Sequence, residues 1–231
     1  MAYKLAVDRK IFDAFPGYQA AIVYASDLVN GPSSAQSVAW LRDAEREARD
    51  RFDRDSYKDE PHIRAWADAF VKFGVKKGKY PASVESLLKR VASGKDLPPI
   101  NALVDAYNAV SLHDLIPVGG EDRDRLASDL TLRFMAGTEA FDTVNSGVPV
   151  VEHADAGEVA WCDAQGVTCR RWNWRQCRRT ALTEGTRNAY FVLDRLPPYP
   201  EDRLLAAAAD LEQRILRLSP SAKITHEVLR G

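Results

Sequence analysis

Two hydrophobic periods divide this 231-residue chain, and the switch between them limits its fold more than any other feature. Up to about Leu112 apolar residues recur at helical spacing, whereas from Leu130 onward they recur at nearly every second position. In the first part, Ser33 or Ser34 can cap a helix running to about Phe52, with Val38-Ala39-Trp40-Leu41 as its apolar start. Its charged tail, residues 42–54, reads as a solvated face with i,i+4 ion pairs. A second helix starts near Pro61, with Ile63, Trp66, Ala67, Phe70 and Val71 on its core side. A third starts at Pro81 or Ala82 and ends at Gly94, and a fourth spans 101–112 behind an Asn cap. Ahead of these, residues 19–25 predict a short strand closed by Asn30-Gly31-Pro32.

In the second part the spacing predicts strands over 130–134, 157–162, 167–172 and 189–194. Asp163-Ala164-Gln165-Gly166 forms a four-residue hairpin loop between two of them. A helix over 201–218 follows Pro200. Helices gather first and strands later, without βαβ alternation, so the class is α+β: a mixed or antiparallel β core flanked by helices, with a helical N-terminal part. The length fits a single domain over 1–231, with the first strand and helices in 1–80.

Composition narrows the function classes. A net charge of −1 makes the whole surface no magnet for nucleic acid, so any RNA contact falls to a local basic patch. Cys162, Cys169 and Cys177 are odd in number and form no C-x-x-C pair, which points to a reducing, cytoplasmic setting and away from a metal site. No run approaches the ~18 apolar residues of a membrane span. No G-x-S-x-G, H-E-x-x-H, G-x-G-x-x-G or Walker pattern is present, and the four histidines sit in unrelated contexts.

Three stretches carry chemistry. Asn101, Asp105 and Asn108 fall at i, i+4 and i+7, so they share a helix face, either as a cap with a solvated side or as one wall of a site. Pro117-Val118-Gly119-Gly120 frees the backbone for a ligand or for a tight turn, and Glu121, Asp122 and Asp124 follow without the further oxygens a divalent ion needs. Between Cys169 and Arg179 lie Arg170, Arg171, Trp172, Asn173, Trp174, Arg175, Gln176 and Arg178. Arginines that fork onto phosphate, among indoles that stack on bases, suit RNA; an aromatic face on the core with arginines in water is the alternative. A second basic stretch, Lys72, Lys76, Lys77 and Lys79, reads as an exposed solvating connector, with contact to phosphate as the lesser alternative.

Pro99-Ile100-Asn101, Val104-Asp105, Asn108, Val110 and Leu112, then Pro117 and Asp122-Arg123-Asp124-Arg125-Leu126, carry a resemblance. In that order they are similar to the P-I-N-N-V-V-D-x-x-N-x-V-x-L helix, proline and D-x-D-x-L stretch of one family. That family is the B3/B4 tRNA-binding and editing domain of the phenylalanyl-tRNA synthetase beta subunit. Weaker similarity continues through Leu132-Arg133, residues 157–166 and 172–186, so about 80–200 are covered. Pro-Val-Gly-Gly and Arg-Trp-Asn-Trp-Arg-Gln resemble the stand-alone branch of the family. The resemblance implies hydrolysis, in trans, of mischarged aminoacyl-tRNA, with the aminoacylated 3′ end as partner and no cofactor or metal.

It also implies a substrate pocket drawn from Asn101, Asp105, Asn108, Gly119, Gly120, Asn173, Arg175, Gln176 and Thr183, beside RNA-facing Arg170, Arg171, Trp172, Trp174, Arg178 and Arg179. Two columns depart from the family. Gly119 stands where it has histidine, and Arg175 or Gln176 where it has the acid that recognises tyrosine, which leaves the amino acid open. A non-catalytic binder of tRNA and a module for a free amino acid are the alternatives.

Overall fold

The computed structural model describes residues 3–231. Two sheets face each other. One has the order β11-β2-β10-β3, from β2 (Gln19–Ser26), β3 (Val118–Asp122), β10 (Ala189–Arg195) and β11 (Lys223–Arg230), all antiparallel. The other has the order β1-β4-β7-β8-β9, from β1 (Leu5–Val7), β4 (Leu130–Phe134), β7 (Val159–Cys162), β8 (Val167–Arg170) and β9 (Arg175–Gln176). Only its β1–β4 pair is parallel. A hairpin of β5 (Ala140–Asn145) and β6 (Val148–His153) covers β8.

Alternation along β10 explains the layering. Tyr190 and Val192 point into a core shared with Trp161, Cys169 and Trp172, while Phe191 and Leu193 point the other way. The second face meets α5 (Ala102–Asp114) and α6 (Glu201–Leu218) through Leu103, Val110, Leu204 and Leu211. Ten of the 13 residues of α5 are buried, so it is central to the fold. The other helices, α1 (Arg9–Ala14), α2 (Ala35–Arg51), α3 (Pro61–Lys72) and α4 (Ser83–Ala92), close the remaining sides. The α+β class, with mixed and antiparallel sheets, is as expected.

Differences from the sequence reading have local causes. The predicted strand over 157–162 begins at Val159, because Gly157 turns the chain at φ +81°. The strand over 167–172 stops at Arg170, because Arg171 and Trp172 are left-handed at φ 46° and 67°. Residues 118–122 form strand β3 where the glycine pair suggests a turn, and β1, β5, β6, β9 and β11 were not expected.

Candidate functional site

A cavity of about 190 Å³ opens where both sheets meet α4 and α5, room for roughly six water molecules. Ser83 and Leu87 reach it from α4, and Tyr107 and Asn108 from α5. Val118, Gly119 and Glu121 come from β3, Tyr190, Val192 and Asp194 from β10, Trp161 from β7 and Cys169 from β8. The turn Trp172-Asn173-Trp174 with Arg175 and Gln176 completes the lining.

That turn rests on unusual backbone. Two consecutive non-glycine residues at positive φ, Arg171 and Trp172, cost on the order of 1–3 kcal/mol each and persist only where their surroundings enforce them. Trp172 N donates to Val159 O at 2.7 Å and Trp174 N to Arg170 O at 3.1 Å. The Trp172 indole packs edge-on against Phe15, Tyr18 and Trp66, with ring centroids 4.8, 4.8 and 5.2 Å away. This single reversal puts Trp172 in the core and Asn173 and Trp174 at the cavity.

Two carboxyls stand in the wall. Glu121 is 2% exposed and accepts from the Thr180 hydroxyl; burial pushes its carboxyl up to about 7. Asp194, also 2% exposed, accepts from the Tyr18 hydroxyl at 2.7 Å and from Asn173 Nδ2 at 3.3 Å; burial raises it to about 7 as well. Burial likewise lifts the Cys169 thiol and the Tyr107 and Tyr190 phenols, so none of these is a ready nucleophile at neutral pH.

Four cavity residues hold a buried polar atom without a hydrogen bond of good geometry: Ser83 Oγ, Trp172 Nε1, Asn173 Oδ1 and Tyr190 Oη. The Trp172 and Tyr190 groups lie beside Asp194 and Glu121 without aligning on them. Most buried polar groups are paired, so these strained or unmade bonds make the wall of the cavity polar.

The sequence-predicted residues divide. Asn108, Gly119, Asn173, Arg175 and Gln176 meet at the cavity. Asn101 lies elsewhere: its Oδ1 caps Val104 N at 3.1 Å and its Nδ2 donates to Leu182 O at 3.2 Å. Asp105 is fully buried, accepting from Ile100 N and the Ser37 hydroxyl at 2.9 Å each. Gly120 faces the opposite core, where a Cβ would lie 2.5 Å from Phe191 Cδ1, and Thr183 sits exposed in a loop.

Most of the basic stretch is internally paired. Arg170 forks onto Glu158, with Nη2–Oε2 2.7 Å, and Arg171 binds Asp155 at 2.7 Å; both are 4% exposed. Arg178 pairs with Asp142 at 3.0 Å and Arg179 with Asp163 at 2.8 Å. Trp172 is fully buried yet lines the cavity with Trp174, and Arg175 is the one arginine of the stretch that reaches it.

Glu121, Asp194, Ser83 and Tyr190 were not singled out for this site from the sequence. Asp194 alone carried a signal, a carboxylate near the end of an otherwise apolar strand, whereas Glu121 sits in a strand that the glycine pair disguises and pairs there with Tyr190. Among the described residues no group of three or more His, Cys, Asp or Glu could hold a metal ion, and no helix is long and apolar enough to cross a membrane.

Residues 65–223 match the model of a family described as the B3/4 domain. The fold is similar, with a TM-score of 0.50 at 10% identity, to the crystal structure of an N-terminal fragment of the phenylalanyl-tRNA synthetase beta subunit from Pyrococcus horikoshii. The likeness covers 99% of this chain and 55% of that fragment, so the chain spans about half its length. No curated protein matches the sequence.

Proposed function

Because the chain belongs to the B3/4 domain family, we propose that it hydrolyses, in trans, the ester that joins a wrongly attached amino acid to the 3′ end of a tRNA. A cavity of amino-acid size, lined by Asn108, Asn173 and Gln176 and with two carboxyls raised to about 7 in its wall, carries this reading, since it gives a compact polar guest both room and partners. The aminoacyl group enters between the Trp161 and Val192 walls, with Asn108, Asn173 and Gln176 fixing its polar atoms. An aminoacyl ester is already reactive, so orientation of one water and a few fixed donors supply much of the rate. A carboxyl poised near 7, as Glu121 and Asp194 are, is matched to take the proton of that water at neutral pH. Selection would follow double-sieve logic, in which a second pocket admits the wrong amino acid and hydrolyses it.

The test is a deacylation assay across tRNAs charged with non-cognate and non-protein amino acids. We expect release of at least one amino acid, lost in Asn108→Ala. An intact panel, with wild type and variant behaving alike, would overturn the reading.

One observation favours a second reading, a module for a free amino acid. The arginines at 170, 171, 178 and 179 are engaged by carboxylates of the same chain rather than offered to phosphate. Melting curves raised by single free amino acids, without ester hydrolysis or RNA binding, would select it.

A further inference from the structure

With the arginine-rich stretch neutralised from within, the cations left to meet a nucleic acid lie elsewhere. Lys76, Lys77 and Lys79 are exposed and enter no ion pair among the described residues. They belong to the connector between α3 and α4, whose end is tied to the cavity. Tyr80 packs on Trp174 with ring centroids 4.5 Å apart, and Ser83 N donates to Asn173 O at 3.2 Å. Lys79 Nζ lies 5.0 Å from the Tyr80 ring centre. Arg175 adds a fourth cation, bonded only to Val144 O and stacked 5.9 Å from the Trp174 ring centre.

The aromatic pair is held from below. The Arg171 guanidinium lies 3.7 Å from the Tyr80 ring centre and 4.8 Å from that of Trp174, and its Nη2 is anchored on Asp155 at 2.7 Å. Its Nη1 is buried and has no partner. Two aromatic rings braced by a buried cation, beside exposed lysines at the edge of a cavity, suit a flat ring followed by anionic groups. A nucleotide presents that combination. A rigid platform also avoids much of the ordering cost of binding.

We propose that Tyr80 and Trp174, braced by Arg171, are a stacking seat for a terminal base of single-stranded RNA, with Lys76, Lys77, Lys79 and Arg175 on the preceding phosphates. The seat lies at the cavity mouth because Trp174 and Arg175 line both. The inference rests on the deacylase reading for the identity of the RNA, and it moves the RNA contact from the arginine run to the lysine connector. Stacking is tolerant of base identity and the lysines are point charges, so affinity should be sequence-independent and strongly salt-dependent.

Fluorescence anisotropy with a short labelled single-stranded RNA, read over a salt series, tests this on the full chain. Changing Lys76, Lys77 and Lys79 together to Ala should weaken binding about ten-fold or more at low salt. It should also flatten the log–log salt slope by about 0.7 per lysine. Trp174→Ala should weaken binding about ten-fold and Trp174→Phe should restore most of it, as expected for a base on an aromatic face. Arg178→Ala, which removes a cation already paired with Asp142, should leave affinity unchanged. Melting curves confirm that each variant is folded.

Wild-type affinity in both the triple-lysine and Trp174→Ala proteins, or no binding by wild type at low salt, overturns the seat. Hydrolysis of a small aminoacyl ester, read in parallel, separates the two proposals. An active cavity with RNA binding indifferent to the lysines removes only the seat. Lysine-dependent RNA binding with no hydrolysis of any ester removes only the deacylase.

Discussion

The Gln176 amide lies across Gly119: its Nε2 donates to Gly120 O at 3.0 Å and sits 3.0 Å from where a Cβ on Gly119 would project. A side chain at 119 and the observed rotamer of Gln176 therefore compete for one space. The resemblance puts histidine in this column, so the exchange of histidine for glycine here accompanies a glutamine that fills the gap.

Gly119→His should crowd Gln176 and cost about 1–3 kcal/mol, as overpacking does. At roughly 2–4 °C per kcal/mol for a chain of this size, a drop of several degrees in melting temperature is expected. Adding Gln176→Ala should recover most of it and reopen the cavity to substrate. A single variant that melts and deacylates like wild type would show that Gln176 moves aside freely.

The two wall carboxyls make stability fall as pH rises. Their folded values, about 7, exceed the ordinary carboxylate range, so between about pH 4.5 and 7 the folded chain holds more protons than the unfolded one. That contribution is fully present below the unfolded values and is lost as pH climbs through 7. The contribution of these groups to melting temperature should decline from about pH 4.5 to 7 and level off above, and less steeply in Glu121→Gln and Asp194→Asn; parallel profiles in all three proteins would count against it.

His62 acts in the opposite direction. It is 1% exposed, its Nε2 accepts from Trp66 Nε1 at 3.0 Å and from Leu196 N at 3.2 Å, and its Nδ1 donates to Leu115 O at 2.9 Å. Burial holds the ring neutral and lowers it to about 4, whereas the unfolded chain protonates near 6.5, so stability is full above that value and lost as pH falls toward 4. The shift is worth roughly 3 kcal/mol. His62→Phe, which strands three buried polar partners at about 1–3 kcal/mol each, should melt well below wild type at pH 7, with the gap closing on acidification. A constant gap would refute the assignment.

Asn101 and Asn108 share a helix and should part company on mutation. Asn101→Ala removes the cap of α5 and the bond to Leu182 O, a loss of about 1–3 kcal/mol, and should leave the deacylation rate per folded molecule unchanged. Asn108→Ala should barely move the melting temperature while reducing that rate. Paired melting and single-turnover assays distinguish the two.

The longer helices were legible because their apolar spacing and caps are local: Asn101 caps α5, and Ser34, one of the two serines offered, caps α2, whereas the short α1 was not expected. Strand β3 was hidden because Gly119 and Gly120 look like a turn. They are needed inside a sheet, where Phe191 presses on one face and Gln176 on the other. Edge strand β11 carries charges throughout and so lacked a buried signal. At the site, one-dimensional charge misled most. Nothing in the run from Arg170 to Arg179 reveals that Asp142, Asp155, Glu158 and Asp163 fold back onto it, because those contacts are made by the sheet and hairpin. The helix face of Asn101, Asp105 and Asn108 likewise splits, since a face wide enough for three side chains borders three different neighbours.

Trp172 belongs at once to the central core and to the cavity wall. A guest that leans on this indole braces the packing of Phe15, Tyr18 and Trp66 behind it, so tight binding must register as heat resistance, in proportion to RT ln(1 + [L]/Kd). The converse also holds. Substitutions at Phe15 or Trp66, remote from the opening, would reshape the berth and change which guests are accepted, so a lineage adapting to temperature through this core would drift in its choice of guest without altering a residue at the mouth.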